Sequence, residues 1–241
     1  MYKKLLVVAM ATAAFFTAPA FAHEHGEAAV ARAFIKDIMA EESAYVDVKG
    51  AVFFQDLAKG QHPRATVVTC SDSRVHTNML DKTPEGDLFM IRNIGNQIAT
   101  AQGSVEYGVN HLGSSLVLII GHAKCGAIAA AGGDYSGLEP AIKKELDTIK
   151  IAKGGVSIDG VKANVNNQVK AALEDFDEAV KEGHLLIIGA VYDFSNDMGK
   201  GAGKLNIINV NGQTDAAKIQ GELVRKDVSD ELDTVSHKKH H

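Results

Sequence analysis

The chain predicts an α/β fold: a mostly parallel central sheet of four strands plus an antiparallel edge strand, flanked by helices. Three observations predict it. Unbroken apolar runs too short for helices recur along the chain, amphipathic helical stripes separate them, and glycines mark the joints. Composition agrees, with 241 residues at 46% hydrophobic and 23% charged, close to globular averages. Disorder over most of the chain and a membrane-spanning body are both excluded.

Residues 1–22 stand apart. Lys3 and Lys4 precede an uncharged run from Leu5 to Pro19, and Ala20-Phe21-Ala22 supplies a small-x-small cleavage pattern. The run of about 15 residues is shorter than the roughly 20 that cross a bilayer as a helix. A secretory signal peptide is therefore expected, followed by a single domain over 23–241 that is periplasmic or secreted, with no membrane association after cleavage.

The remaining elements follow in order. Val30, Phe34, Ile35 and Ile38 fall at helical spacing and predict a helix over Glu27 to Met39. Ala65 to Cys70 and Leu88 to Ile91 read as strands. Ser104 is placed to cap a short helix carrying Val105, Val109 and Leu112, which Gly113 ends. Leu116 to Gly121 and Leu185 to Val191 are continuous apolar runs suited to a sheet covered on both faces. Asn164 is placed to open a longer helix carrying Val165, Val169, Leu173, Phe176 and Val180 before Gly183. Lys204 to Val210 is expected to close the sheet after a connection so short that an antiparallel edge hairpin is favoured. The glycines of that connection are no phosphate loop, because Met198 and Leu205 stand where its first glycine and its hydroxyl belong. From Thr214 a last helix begins, and the chain ends in a histidine-rich tail.

Charge narrows the partners. With 25 Lys+Arg against 30 Asp+Glu, the net charge of −5 offers no basic excess for nucleic acid. Cys70 and Cys125 are the two cysteines. In an oxidising compartment a disulfide between them is the plain reading. Their neighbours, Cys70-Ser71-Asp72-Ser73-Arg74 and His122-Ala123-Lys124-Cys125-Gly126, fit metal ligation better.

Cys70 ends a predicted strand and His122 follows another, where open α/β sheets place ligands if the two strands are neighbours. His122 and Cys125, spaced i, i+3 at the opening of a helix, are expected on one face. Two thiolates and one imidazole form a tetrahedral zinc set with one place open. Asp72 could fill that place, and Arg74 is the countercharge that could hold its carboxylate away from the metal.

Four segments in this order resemble the β-class carbonic anhydrases: Cys70-Ser71-Asp72-Ser73-Arg74-Val75, Gly86-Asp87-Leu88-Phe89-Met90-Ile91-Arg92-Asn93, Ser104-Val105-Glu106-Tyr107, and Gly121-His122-Ala123-Lys124-Cys125-Gly126. The resemblance runs roughly from Phe53 to Asp193. It implies hydration of CO2 to bicarbonate and a proton by zinc-bound hydroxide, with Zn2+ on Cys70, His122 and Cys125 and with Asp72 and Arg74 as the catalytic pair. In similar enzymes the aspartate also swings onto zinc and closes the site. The resemblance further implies a substrate-orienting amide at Gln61, an aromatic wall at Phe89 and Tyr107, a substrate contact at Gly126, and a homodimer or homotetramer with the cleft at the subunit interface. Val67 stands where some members carry a tryptophan of a regulatory bicarbonate pocket, so that pocket is not expected.

Two alternatives keep the same residues. One is hydrolysis of a CO2 relative, carbonyl sulfide or carbon disulfide; the other is an exported zinc-binding protein without turnover. His76 is a candidate proton relay or simply an exposed loop residue. His23-Glu24-His25, freed by cleavage, has the geometry of a Cu(II) or Ni(II) chelate, and chance explains it as well.

Overall fold

The computed structural model describes residues 26–154 and 157–223. The signal-peptide reading of residues 1–22, His23 to His25 and the histidine-rich tail all lie outside them. The chain divides into two units, Met1–Asp56 and Leu57–His241.

In the first unit, helix α1 begins at Glu27 and is assigned through Leu57, longer than the sequence stripe indicated. Gly50 interrupts it with φ 75°. No residue along α1 is buried; Val30, Phe34, Ile35, Ile38 and Met39 all face outward. Its periodic apolar row, which predicted the helix, is thus exposed.

The second unit holds the sheet. Strands β1 (Ala65–Cys70), β2 (Leu88–Asn93), β3 (Leu116–His122), β4 (Leu186–Asp193) and β5 (Lys204–Val210) lie in the order β2-β1-β3-β4-β5. The first three pairings are parallel and β4–β5 is antiparallel, as the apolar runs and the short last connection require. All six residues of β1 are buried, which is why its sequence does not alternate. From β1 the chain moves to β2 on one side and then to β3 on the other. The carboxyl ends of β1 and β3 therefore flank a topological switch point, where a crevice forms.

Helix α5 (Ile158–Lys181) covers one face. It starts at Ser157, whose Oγ accepts from Asp159 N at 3.3 Å, and not at Asn164. Asn164 sits a full turn and more inside, wholly buried, because its amide bonds other backbone instead of capping. Likewise Ser104 lies inside helix α2 (Gln102–Glu106), which starts after Ala101 and widens into a π-turn over Tyr107–His111. Three further helices, α3 (Gly126–Ala131), α4 (Pro140–Leu146) and α6 (Ala216–Leu223), complete the described residues together with a 3-10 turn at Thr77–Met79.

Close approach of α5 to the sheet depends on two strand glycines. A Cβ on Gly121 would come within 2.6 Å of Val165, and one on Gly189 within 2.8 Å of both Val165 and Val169. These valines are fully buried, each stabilising by roughly 1.5–3 kcal/mol through apolar surface removed from water. No helix among the described residues is long and apolar enough to cross a membrane.

Candidate metal centre

Three side chains meet at the switch point. Cys70 is the last residue of β1, His122 is the last of β3, and Cys125 immediately precedes α3. His122 and Cys125 do not share a helix face, as their spacing suggested. His122 ends a strand, and a turn with Lys124 in the left-handed region at φ 54° folds Cys125 back beside it. The ligand atoms of Cys70, His122 and Cys125 all lie within 4.8 Å of one another, and all three residues are buried. Both cysteines are free thiols.

The imidazole is oriented for ligation. His122 Nδ1 lies 2.9 Å from the Ala123 carbonyl oxygen, which can only accept, so Nδ1 carries the proton and donates it. Nε2 is left as a lone pair, buried and, among the described residues, without a hydrogen-bond partner. A buried acceptor with no partner beside two thiols fits a metal, and the sulfur, sulfur, nitrogen donor set fits zinc with a fourth position open.

The two thiols are pushed in opposite directions. A hydrogen bond from Cys125 draws the Cys70 pKa well down against the opposing effect of burial, and the backbone N–H groups of Gly95 and Asp72 add to it. Cys125 is pushed up, first by that same hydrogen bond and then by burial.

Asp72 stands at the edge of this group. Its Oδ1 accepts from Arg74 N at 2.9 Å and Arg74 Nε at 2.8 Å, while Oδ2 accepts from Arg74 Nη2 at 2.7 Å. This clamp holds the carboxyl well below the usual carboxylate range, outweighing partial burial. Oδ2 is also 3.8 Å from His122 Nε2, so the carboxylate borders the open side of the ligand set.

Two residues that the sequence left without a role complete the clamp. Arg92, from β2, donates to the Asp72 carbonyl at 2.8 Å, and Arg74 itself reaches the Lys124 carbonyl at 3.2 Å. Phe194, just past β4, stacks on His122 at 5.9 Å and carries the Arg74 guanidinium 4.6 Å above its ring. Arg92 belongs to a recognisable motif and could have been found. Phe194 is remote in sequence and no local pattern announces it.

The Phe89 and Tyr107 rings are 6.0 Å apart, and Tyr107 also stacks on His111 at 5.6 Å. Gly126 opens α3 with nothing within 4 Å of where a Cβ would sit. Gln61 is exposed in the segment before β1, His76 is exposed just before the 3-10 turn, and Val67 is fully buried in the sheet.

Comparison with known proteins gives the same picture. The carbonic anhydrase family model matches residues 65–200, more than half of the chain. A carbonic anhydrase of Synechococcus elongatus is 44% identical over 82 residues, 31% of this chain and 30% of that protein. The chain thus spans under a third of that relative's length. The chloroplastic β carbonic anhydrase 5 of Arabidopsis thaliana is 28% identical over 164 residues, 58% of this chain and 54% of that protein. Among solved structures, a tetrameric β-carbonic anhydrase of Sordaria macrospora superposes with TM-score 0.61 at 26% identity, covering 74% of this chain and 98% of that one. A mixed sheet with two sulfurs and an imidazole at its switch point, an aspartate clamped by arginine beside them, and this family match lead to one conclusion: the chain belongs to the carbonic anhydrases, in their β class.

Proposed function

We propose that this protein catalyses the reversible hydration of CO2 to bicarbonate and a proton, with zinc on Cys70, His122 and Cys125. The observation that carries the reading is the Arg74-clamped carboxylate of Asp72, 3.8 Å from the unpartnered Nε2 of His122. A site that only stored metal has no use for a charged acceptor beside an open ligand position.

When bound, zinc supplies the Lewis acidity that makes water a nucleophile near neutral pH. The chain does the rest. Asp72 stays ionised under Arg74, so it can only accept a hydrogen bond; Oδ2 takes the O–H of the attacking water and turns the oxygen lone pair toward CO2. Arg74 and Arg92 keep that carboxylate from drifting toward the metal, and Phe194 supports the guanidinium from beneath. Phe89, Tyr107, Gly126 and the Gln61 amide receive the substrate.

The proposal includes export and assembly. The charge pattern of residues 1–22 supports cleavage after Ala22 and a periplasmic or secreted protein, checked by the amino-terminal mass of the mature chain. The exposed apolar row of α1 and the outer edge of β2, unpaired among the described residues, support a homo-oligomer, in which exposed Gln61 serves a neighbouring cleft. Sedimentation should show a dimer or tetramer; a monomer of full activity overturns this part.

Stopped-flow CO2 hydration with metal analysis tests the main claim. Asp72→Asn should keep its zinc and lose on the order of 10²-fold in turnover, the range that proton-handling and orienting groups contribute. Activity near wild type removes Asp72 from the mechanism. Hydration of carbonyl sulfide or carbon disulfide in preference to CO2 replaces the substrate.

A further inference from the structure

Behind the ligand triad lies a cluster of buried side-chain amides that the motifs leave unexplained. Gln97 and Asn164 are fully buried and Gln168 is 4% exposed. Burying a primary amide is costly unless its donors and acceptors are paired, so three together call for a reason. Here they are paired with one another and with one short piece of backbone.

That backbone is the hook between β2 and α2. Gly95 and Asn96 are successive residues in the left-handed region, at φ 81° and 52°, a conformation that persists only where its surroundings enforce it. The surroundings are explicit. Asn164 Nδ2 donates to the Gly95 carbonyl at 2.9 Å, and Gln97 Nε2 donates to the same oxygen. Gln168 Oε1 accepts from Ile98 N at 2.8 Å, while its Nε2 donates to Gln97 Oε1 at 3.0 Å. From the other side, Asn93 Oδ1 accepts from Gln97 N at 2.7 Å. Space is tight too, since a Cβ on Gly95 would come within 2.8 Å of Ile149 and 3.4 Å of Ala127.

The tip of the hook faces the metal centre: Gly95 abuts Ile149, which packs in one buried cluster with Cys70 and Cys125, and the Gly95 N–H, like that of Asp72, is turned toward the Cys70 sulfur. We propose that Asn164 and Gln168 are positioning residues for the metal centre, reaching from α5 to fix the Gly95 hook so that its N–H stays on the Cys70 sulfur. The proposal rests on Cys70 being a zinc ligand. Two thiolates and an imidazole bring enough negative charge to cancel that of a divalent ion and blunt its acidity. An N–H held on one sulfur withdraws part of that charge, and it keeps the ligand aimed before metal arrives.

The test uses the full-length protein loaded with Co2+, whose thiolate-to-metal absorption reports the sulfur directly, beside zinc retention measured against a chelator. Asn164→Asp keeps the acceptor of that side chain and removes its donation to Gly95. It should shift the absorption band and weaken zinc retention about 10- to 100-fold, the usual effect of losing a group that orients a ligand. Val169→Ala, in the buried core further along α5, should lower the melting temperature and leave band and retention alone. Should Asn164→Asp fail to fold, Gln168→Glu carries the same expectation, because it keeps the acceptor for Ile98 N and loses its donors. A folded variant of either kind with wild-type band and retention overturns the proposal. A wild-type protein with no thiolate band at all overturns the ligand assignment and this inference with it.

Discussion

At the scale of single residues, the site is governed by where protons can and cannot go. Asp72 is held ionised by Arg74, His122 is held in one tautomer by the Ala123 carbonyl, and the hydrogen bond between Cys125 and Cys70 lowers the pKa of one thiol and raises that of the other. Asp193 extends this logic to the loop that carries Phe194. It is fully buried, yet its carboxylate accepts from Asp197 N at 3.0 Å and Met198 N at 2.7 Å. Burial raises its pKa, the backbone N–H groups of Met198, Asp197 and Ser195 lower it more, and the net value lies below that of a free carboxylate. A group depressed in the folded state stabilises fully above its unfolded pKa, about 3.9, and loses that contribution as pH falls through the lower folded value. Asp193→Asn places a second donor against those N–H groups and should cost about 1–3 kcal/mol. Thermal melts of the two proteins should differ by a constant amount from pH 7 to about pH 5 and converge as the pH falls below about 4. A gap that persists unchanged at low pH would mean the charge is not what matters.

At the scale of elements, the close seating of α5 on β3 and β4 sets the depth of the site. Gly121, directly before His122, and Gly189 in the adjacent strand leave no room for a methyl group beneath Val161, Val165 and Val169. Gly189→Ala should destabilise by about 1–3 kcal/mol through overpacking, read from chemical denaturation. A neutral result would show that α5 slides freely, and then its amides could not hold the Gly95 hook. Much of this was legible beforehand. Continuous apolar runs located β3 and β4, whose burial on both faces leaves no alternation to confuse, whereas β5, with Asn206 and Asn209 inside it, was placed by the short connection before it. The helix starts were less legible. Asn164 looks like a cap because Asn often is one, but its partner, the Gly95 carbonyl, is far away in sequence and only the fold brings it near. Helix α1 was legible as a helix from its apolar spacing, but that spacing does not say where the row lies, and the row is exposed.

At the scale of the whole molecule, the motifs picked out Cys70, His122 and Cys125, which the fold brings together, because each sits in a short segment at or just past a strand end. They could not name Phe194, Gln97 or Gln168, whose roles exist only through long-range packing. The switch-point topology has a last consequence. Cys70 and His122 arrive on separate strands, neighbours in the sheet although β2 lies between them in the chain, so an unfolded chain presents no ready-made trio of donors. An ion that recognises only the finished arrangement acts as a rivet, and mass action converts its free concentration into resistance to heat. At a hundredfold excess over the dissociation constant the gain is about 2.7 kcal/mol, or roughly 5–10 °C for a chain of this size. Stripping with a chelator should lower the melting temperature by that amount, and stepwise return of zinc should restore it along a logarithmic curve; a melting point indifferent to zinc would mean that the donors grip nothing.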